Sequence, residues 1–106
     1  RAAPDEVMRT LAKRGGILGI PPPITRPKGD APYQTVESAE LQQTVVQVQY
    51  AVDIMGVDGV GIGTHFNSAV LPWVVGGLLD ASFSEQDVGK ICGGNYLRVL
   101  REVLPV

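Results

Sequence analysis

The groups best suited to chemistry lie close together. Thr64, His65 and Asn67 bring a hydroxyl, an imidazole and an amide into one short stretch. An imidazole exchanges its proton near neutral pH, so His65 is the candidate catalytic residue. It is the sole histidine, and Cys92 the sole cysteine. Such a pair cannot assemble a structural zinc site from this chain, nor can a single cysteine close an internal disulfide. A reducing compartment such as the cytoplasm is the expectation. Each candidate has a plainer alternative. His65 could be a hydrogen-bonded, partly buried side chain with no chemical role, and Asn67 a turn residue rather than part of a pocket wall. Cys92 has only Lys90 as a basic neighbour and is expected to be buried and inert.

A short strand must deliver this cluster. Gly56-Val57-Asp58 reads as a tight turn, after which Val60 and Ile62 alternate with Gly59, Gly61 and Gly63. One strand face then carries branched side chains and the other almost nothing. A bare face predicts close approach by another backbone or a ligand. Ligands gather at the carboxyl ends of strands in α/β folds, which is where Thr64 to Asn67 fall. The glycine spacing does not make a dinucleotide fingerprint, because Phe66 stands where the last glycine would be needed.

Further elements follow from periodicity and punctuation. Pro4, Asp5 and Glu6 open a helix with Val7, Met8 and Leu11 as its apolar stripe, and Gly15-Gly16 stops it. Ile17, Leu18 and Ile20 read as a buried strand ended by Pro21-Pro22-Pro23. Residues 21–34 form a Pro-rich loop, either a plain connection or a wall over a binding site. Leu41, Val45, Val48, Val52 and Met55 recur at helical spacing, predicting a long helix from about Val36 to Met55 that Gly56 terminates. Pro72 starts another helix, with Trp73, Val74, Leu78 and Leu79 as burial candidates. Ser84 to Asp87 resembles a capping box opening a short helix, and Asn95 is expected to cap a final one.

The 106 residues, 11.3 kDa, suffice for one domain at most, and a hydrophobic content of 44% permits a packed core. Net charge is -2 with dispersed basic residues, which leaves no electrostatic footprint for nucleic acid. No apolar run is long enough for a membrane helix, and the first residues do not read as a signal peptide. Helices alternating with two strands imply parallel pairing and a right-handed βαβ unit. Two strands alone leave both sheet edges open, so residues 1–106 read as a partial single domain.

Four pieces of the sequence, in order, resemble the C-terminal portion of the membrane (renal-type) dipeptidases, zinc peptidases of the amidohydrolase superfamily. They are Arg1 with Pro4-Asp5-Glu6-Val7-Met8-Arg9, then Gly15-Gly16-Ile17-Leu18-Gly19-Ile20, then Gly56-Val57-Asp58 leading into Gly61-Ile62-Gly63-Thr64, and Gly93-Gly94-Asn95-Tyr96-Leu97-Arg98-Val99. The resemblance implies an α/β fold: the last two βα units of a (β/α)8 TIM barrel, with Ile17–Ile20 and Val60–Thr64 as strands seven and eight. It implies hydrolysis of dipeptides by metal-activated water at two zinc ions. The family's metal ligands lie in the earlier part of its fold, so no metal ligand is assigned to this chain. Arg1 aligns with an arginine that binds the substrate carboxylate, with a disordered chain end as its plainer alternative, and Asn67 stays open between lining the pocket and making a turn. His65 stands where the family usually has an Asp that handles a proton or the substrate amine, and Gly59 where it often has His.

The chain by itself is therefore not expected to catalyse. Its partners would be the rest of the barrel or another chain completing it, with a homodimer one assembly left open. Two other readings stand beside the dipeptidase segment. One is a non-catalytic divergent relative or subunit that completes another chain's barrel. The other is a small autonomous α/β binding domain.

Overall fold

Where the first helix stops is decided by backbone conformation. Helix α1, Asp5–Lys13, gives way at Gly15, whose φ of +73° lies in the left-handed region that only glycine occupies without penalty. The Gly16 N–H then reaches back to the Leu11 carbonyl at 2.8 Å, closing a Schellman-type end. The turn delivers the chain directly into strand β1, Leu18–Ile20. The computed structural model describes residues 4–23, 25–27, 34–63 and 70–103.

The Pro-rich stretch is not wholly irregular. It holds β2, Thr25–Pro27, which pairs antiparallel with β3, Gln34–Val36, at its far end, with Thr25 opposite Val36 and Pro27 opposite Gln34. The expectation of a simple loop over 21–34 is corrected to this extent. Proline has no N–H for a ladder but tolerates the edge of a two-stranded ribbon, which is why its presence did not prevent pairing.

Helix α2, Ser38–Met55, is the longest element. Its predicted stripe holds: Val45 and Val48 are buried, and Leu41, Val52 and Met55 pack partly buried against the same core. Gly56 ends it with φ +82°. A single 3-10 turn, Val57–Gly59, feeds strand β4, Val60–Ile62. Strands β1 and β4 are parallel, with Leu18 opposite Val60, Gly19 opposite Gly61 and Ile20 opposite Ile62. This is the expected parallel pair with a helix in its connection. Among the described residues no further strand joins either outer edge.

Helix α3, Leu71–Asp80, buries Val74 and Leu78, but Trp73 and Leu79 are about two-fifths exposed, contrary to the burial expected of them. At 100° per residue Trp73 and Leu79 fall to either side of the Val74–Leu78 line, so they border the core rather than enter it. Val7 of α1 likewise faces outward while Met8 is buried. Ser84 caps α4, Glu85–Gly89, by accepting from the Asp87 N–H at 3.1 Å. The chain continues through the wider turn Lys90–Gly94, kinked at Gly93, into α5, Asn95–Val103.

The parallel pair is thus covered on two sides. Ile20, Val60 and Ile62 join Val45, Val48, Val74 and Leu78 in one buried cluster, while the Lys90–Gly94 turn and α5 also lie against β4.

Candidate functional site

The parallel register sets the geometry at the carboxyl end of the sheet. Beyond the last paired residues, the Gly63 N–H donates to the Ile20 carbonyl at 2.7 Å, which extends the ladder one step past β4. On the other strand the chain leaves through Pro21, whose carbonyl lies 3.5 Å from the buried Thr44 hydroxyl on α2. The same hydroxyl lies 3.4 Å from the Glu40 carbonyl, so one hydrogen is shared between two long contacts. Val70 is 3% exposed, and from it the chain turns into α3. The stretch between Gly63 and Val70 is therefore tied to the fold at both of its ends.

That stretch holds the sequence's chief candidates. His65 and Asn67 lie outside the described residues, and so does Arg1. What the structure describes is the frame from which these positions depart.

The glycine positions of β4 are closely approached. At Gly63 it is by the neighbouring backbone, as expected, since an added Cβ would lie 3.3 Å from the Ile20 carbonyl oxygen. At Gly61 it is by the ring of Tyr96 from α5. A Cβ built on Gly61 would sit 2.6 Å from Tyr96 Cε2, and one on Gly19 would sit 3.2 Å from the Tyr96 hydroxyl oxygen. The glycines are what let the ring edge of Tyr96 come this close to β4 and its hydroxyl this close to β1. The ring's hydroxyl donates to the Ile62 carbonyl at 2.8 Å. Burial pushes the Tyr96 phenol above its ordinary pKa of 10.0, so it remains a neutral donor at neutral pH.

Asn95, beside it, was expected to be a helix cap and is instead a strap. Its side chain is 2% exposed, and its amide nitrogen donates to the Val57 carbonyl at 2.8 Å and the Val60 carbonyl at 2.7 Å. Asn95 does not cap because its own backbone is already helical, with φ -65° and ψ -40°, and its side-chain amide crosses to β4 instead. Two consecutive residues thus grip β4, Asn95 at its amino end and Tyr96 at its carboxyl end. The sequence signal that could have found them is the pairing of two facts: a strand face without side chains, and an Asn-Tyr dipeptide entering a helix directly after Gly93-Gly94.

Other polar groups are ordinary. Asp58 serves its turn and also pairs with Lys90 at 2.9 Å, on the surface where such pairs contribute little. Gly59 lies against Met55, whose Cβ and Cε would each be 3.1 Å from an added Cβ, so no larger residue fits there without movement of that side chain. Cys92 is partly buried, and burial raises its thiol above the ordinary value, in keeping with an unreactive side chain. Among the described residues no group of His, Cys, Asp and Glu converges where a metal ion could be held. The residues described here do not fit a zinc site, and no step through zinc is assigned to them.

Comparison with known proteins bears on all of this. The family model described as "Membrane dipeptidase (Peptidase family M19)" matches residues 1–106. Among curated proteins, the chain is 30% identical over 114 residues to dipeptidase verJ of Clonostachys rogersoniana, covering 97% of this chain and 28% of that protein. It is 28% identical to dipeptidase aclJ of Aspergillus oryzae and 30% identical to dipeptidase tcpJ of Claviceps purpurea, each over 116 residues and 26% of the relative's length. The chain therefore spans about a quarter of the length of the curated relatives it matches. No solved structure matches it.

Proposed function

This chain belongs to the membrane dipeptidase family, and from that premise we propose that it is the C-terminal segment of a zinc-dependent dipeptidase. In this reading β1 and β4 are the seventh and eighth strands of a (β/α)8 barrel. The zinc ligands, and the strands that carry them, are supplied from outside these 106 residues. The observation that carries the proposal is the family match over the whole chain combined with its small share of each relative's length. The unpaired outer edges of β1 and β4 among the described residues support it, since a barrel strand has a neighbour on each side.

Within the site, His65 follows Gly61-Ile62-Gly63-Thr64 at the mouth of β4 and takes the proton-handling role. Arg1 holds the carboxylate end of a dipeptide, which suits a forked guanidinium, and Asn67 borders the pocket. The test is His65→Asp in the complete polypeptide that carries these residues, assayed for dipeptide hydrolysis across pH. A proton-transfer role predicts a shift in the pH profile of kcat, and an unchanged rate and profile would remove His65 from the mechanism.

One observation favours a second reading. His65 stands where the family's usual carboxylate would be, and an imidazole cannot counter a substrate ammonium as an Asp does. A non-catalytic relative, or a subunit completing another chain's barrel, would tolerate that exchange. Zinc analysis and a dipeptide assay of the complete polypeptide separate the two: neither zinc nor turnover would leave the second reading standing.

A further inference from the structure

We propose that Tyr96 is a positioning residue for the reaction: by donating to the Ile62 carbonyl it fixes the carboxyl end of β4, from which the segment bearing His65 departs. The inference rests on the dipeptidase reading and goes beyond it, since Tyr96 sits far along the chain in the final helix.

Three observations carry it. The first is the bond itself, 2.8 Å from the phenolic oxygen to the last carbonyl of β4, spanning 34 residues of sequence. The second is how closely the ring is seated. A Cβ on Gly61 would meet Cε2, Cζ and the hydroxyl oxygen at 2.6, 2.8 and 2.9 Å, so the ring is registered against the strand rather than resting loosely over it. The third is the matching grip of Asn95 on the Val57 and Val60 carbonyls. One side chain holds the start of the strand, the next holds its end, and α5 provides the rigid spacing between them.

A strand mouth built on glycine calls for such a tie. Gly63 follows Ile62 and has the widest conformational freedom of any residue, so the direction in which the chain leaves β4 is weakly set by local sterics. Among the described residues its amide has one partner, the Ile20 carbonyl at 2.7 Å. The tyrosine bond removes a second degree of freedom at the adjoining carbonyl. Its hydroxyl hydrogen is committed to that carbonyl, which makes Tyr96 a positioning residue rather than a catalytic one. Displacing a reacting group by as little as about 1 Å can cost on the order of 100-fold in rate.

The experiment is Tyr96→Phe in the complete polypeptide, which keeps the ring on the glycine face and removes the tie. The expected result is a fall in kcat of roughly tenfold with KM within about twofold, the signature of a geometry needed for the transition state and not for binding. Melting should shift by only a few degrees, and amide exchange at Gly63 should accelerate. An active protein in which Tyr96→Phe leaves kcat and Gly63 exchange unchanged overturns this inference alone. A variant whose rate loss simply follows its loss of folded protein, with normal kcat per folded molecule, also overturns it, because the role is then structural only. An unaltered protein that hydrolyses no dipeptide overturns the dipeptidase reading and this inference with it.

Discussion

At the scale of single residues, Asn95 is the least replaceable polar side chain described here. Two backbone carbonyls take their hydrogen bonds from one buried amide group. A change to alanine removes both donors and leaves the carbonyls to find water that has little access to the site. Each unsatisfied buried group costs about 1–3 kcal/mol, so Asn95→Ala is expected to cost roughly 2–4 kcal/mol. Asn95→Asp should be no milder at neutral pH, since it turns an acceptor towards acceptors. The check is the denaturant midpoint of the complete polypeptide, read with an unchanged m-value. A loss below about 0.5 kcal/mol would mean that the amide does not hold β4. A helix cap, the role its sequence position suggests, would fall between these outcomes at about 1 kcal/mol.

At the scale of elements, the two glycines in the middle of α3 look alike in sequence and are not alike in place. An added Cβ at Gly76 meets nothing within 4 Å, whereas at Gly77 it would lie 3.1 Å from Leu41 Cδ1 and 3.2 Å from both Leu41 Cγ and Val45 Cγ2. Gly77 is therefore the point where α3 and α2 come close. Replacing either by alanine gains helix propensity of up to about 1 kcal/mol. Gly76→Ala should keep that gain. Gly77→Ala should lose most of it or reverse it, because Val45 is buried and has little room to yield while Leu41 can swing only part of the way. Paired melting curves test the contrast, and equal stabilisation by both would mean that the helices are not in firm contact at Gly77.

At the scale of the molecule, much apolar surface is left without cover. Leu71, Leu79, Leu97 and Leu100 are each at least 36% exposed, and the first three border an apolar groove of about 590 Å³ running beside α3, α4 and α5. The Cα radius of gyration is 14.4 Å, against about 13 Å for a self-contained domain of this length. Packing against helices supports the two-stranded sheet, but among the described residues its outer edges stay unpaired. On the barrel-segment reading, residues 1–106 produced alone are accordingly expected to melt broadly and to self-associate, and to gain a sharp transition when the rest of the proposed barrel is supplied. Calorimetry with sedimentation measures this directly. A sharp, monomeric melt of the isolated chain would count against the barrel-segment reading and in favour of an autonomous α/β domain.

What the sequence determined by itself was largely local. The ends of α1 and α2 at Gly15 and Gly56, the buried stripe of α2, the cap at Ser84 and the parallel β1–β4 pair were all legible, because each depends on neighbours along the chain or on a short repeating pattern. The ordered motifs also carried the family. The tertiary structure alone decided which side chain fills the bare face of β4, why Asn95 is buried, and which glycine of α3 marks a helix contact. Those outcomes depend on groups more than 30 residues apart in sequence meeting in space. No periodicity or propensity encodes such meetings, because they are set by how whole elements pack once their local forms are fixed.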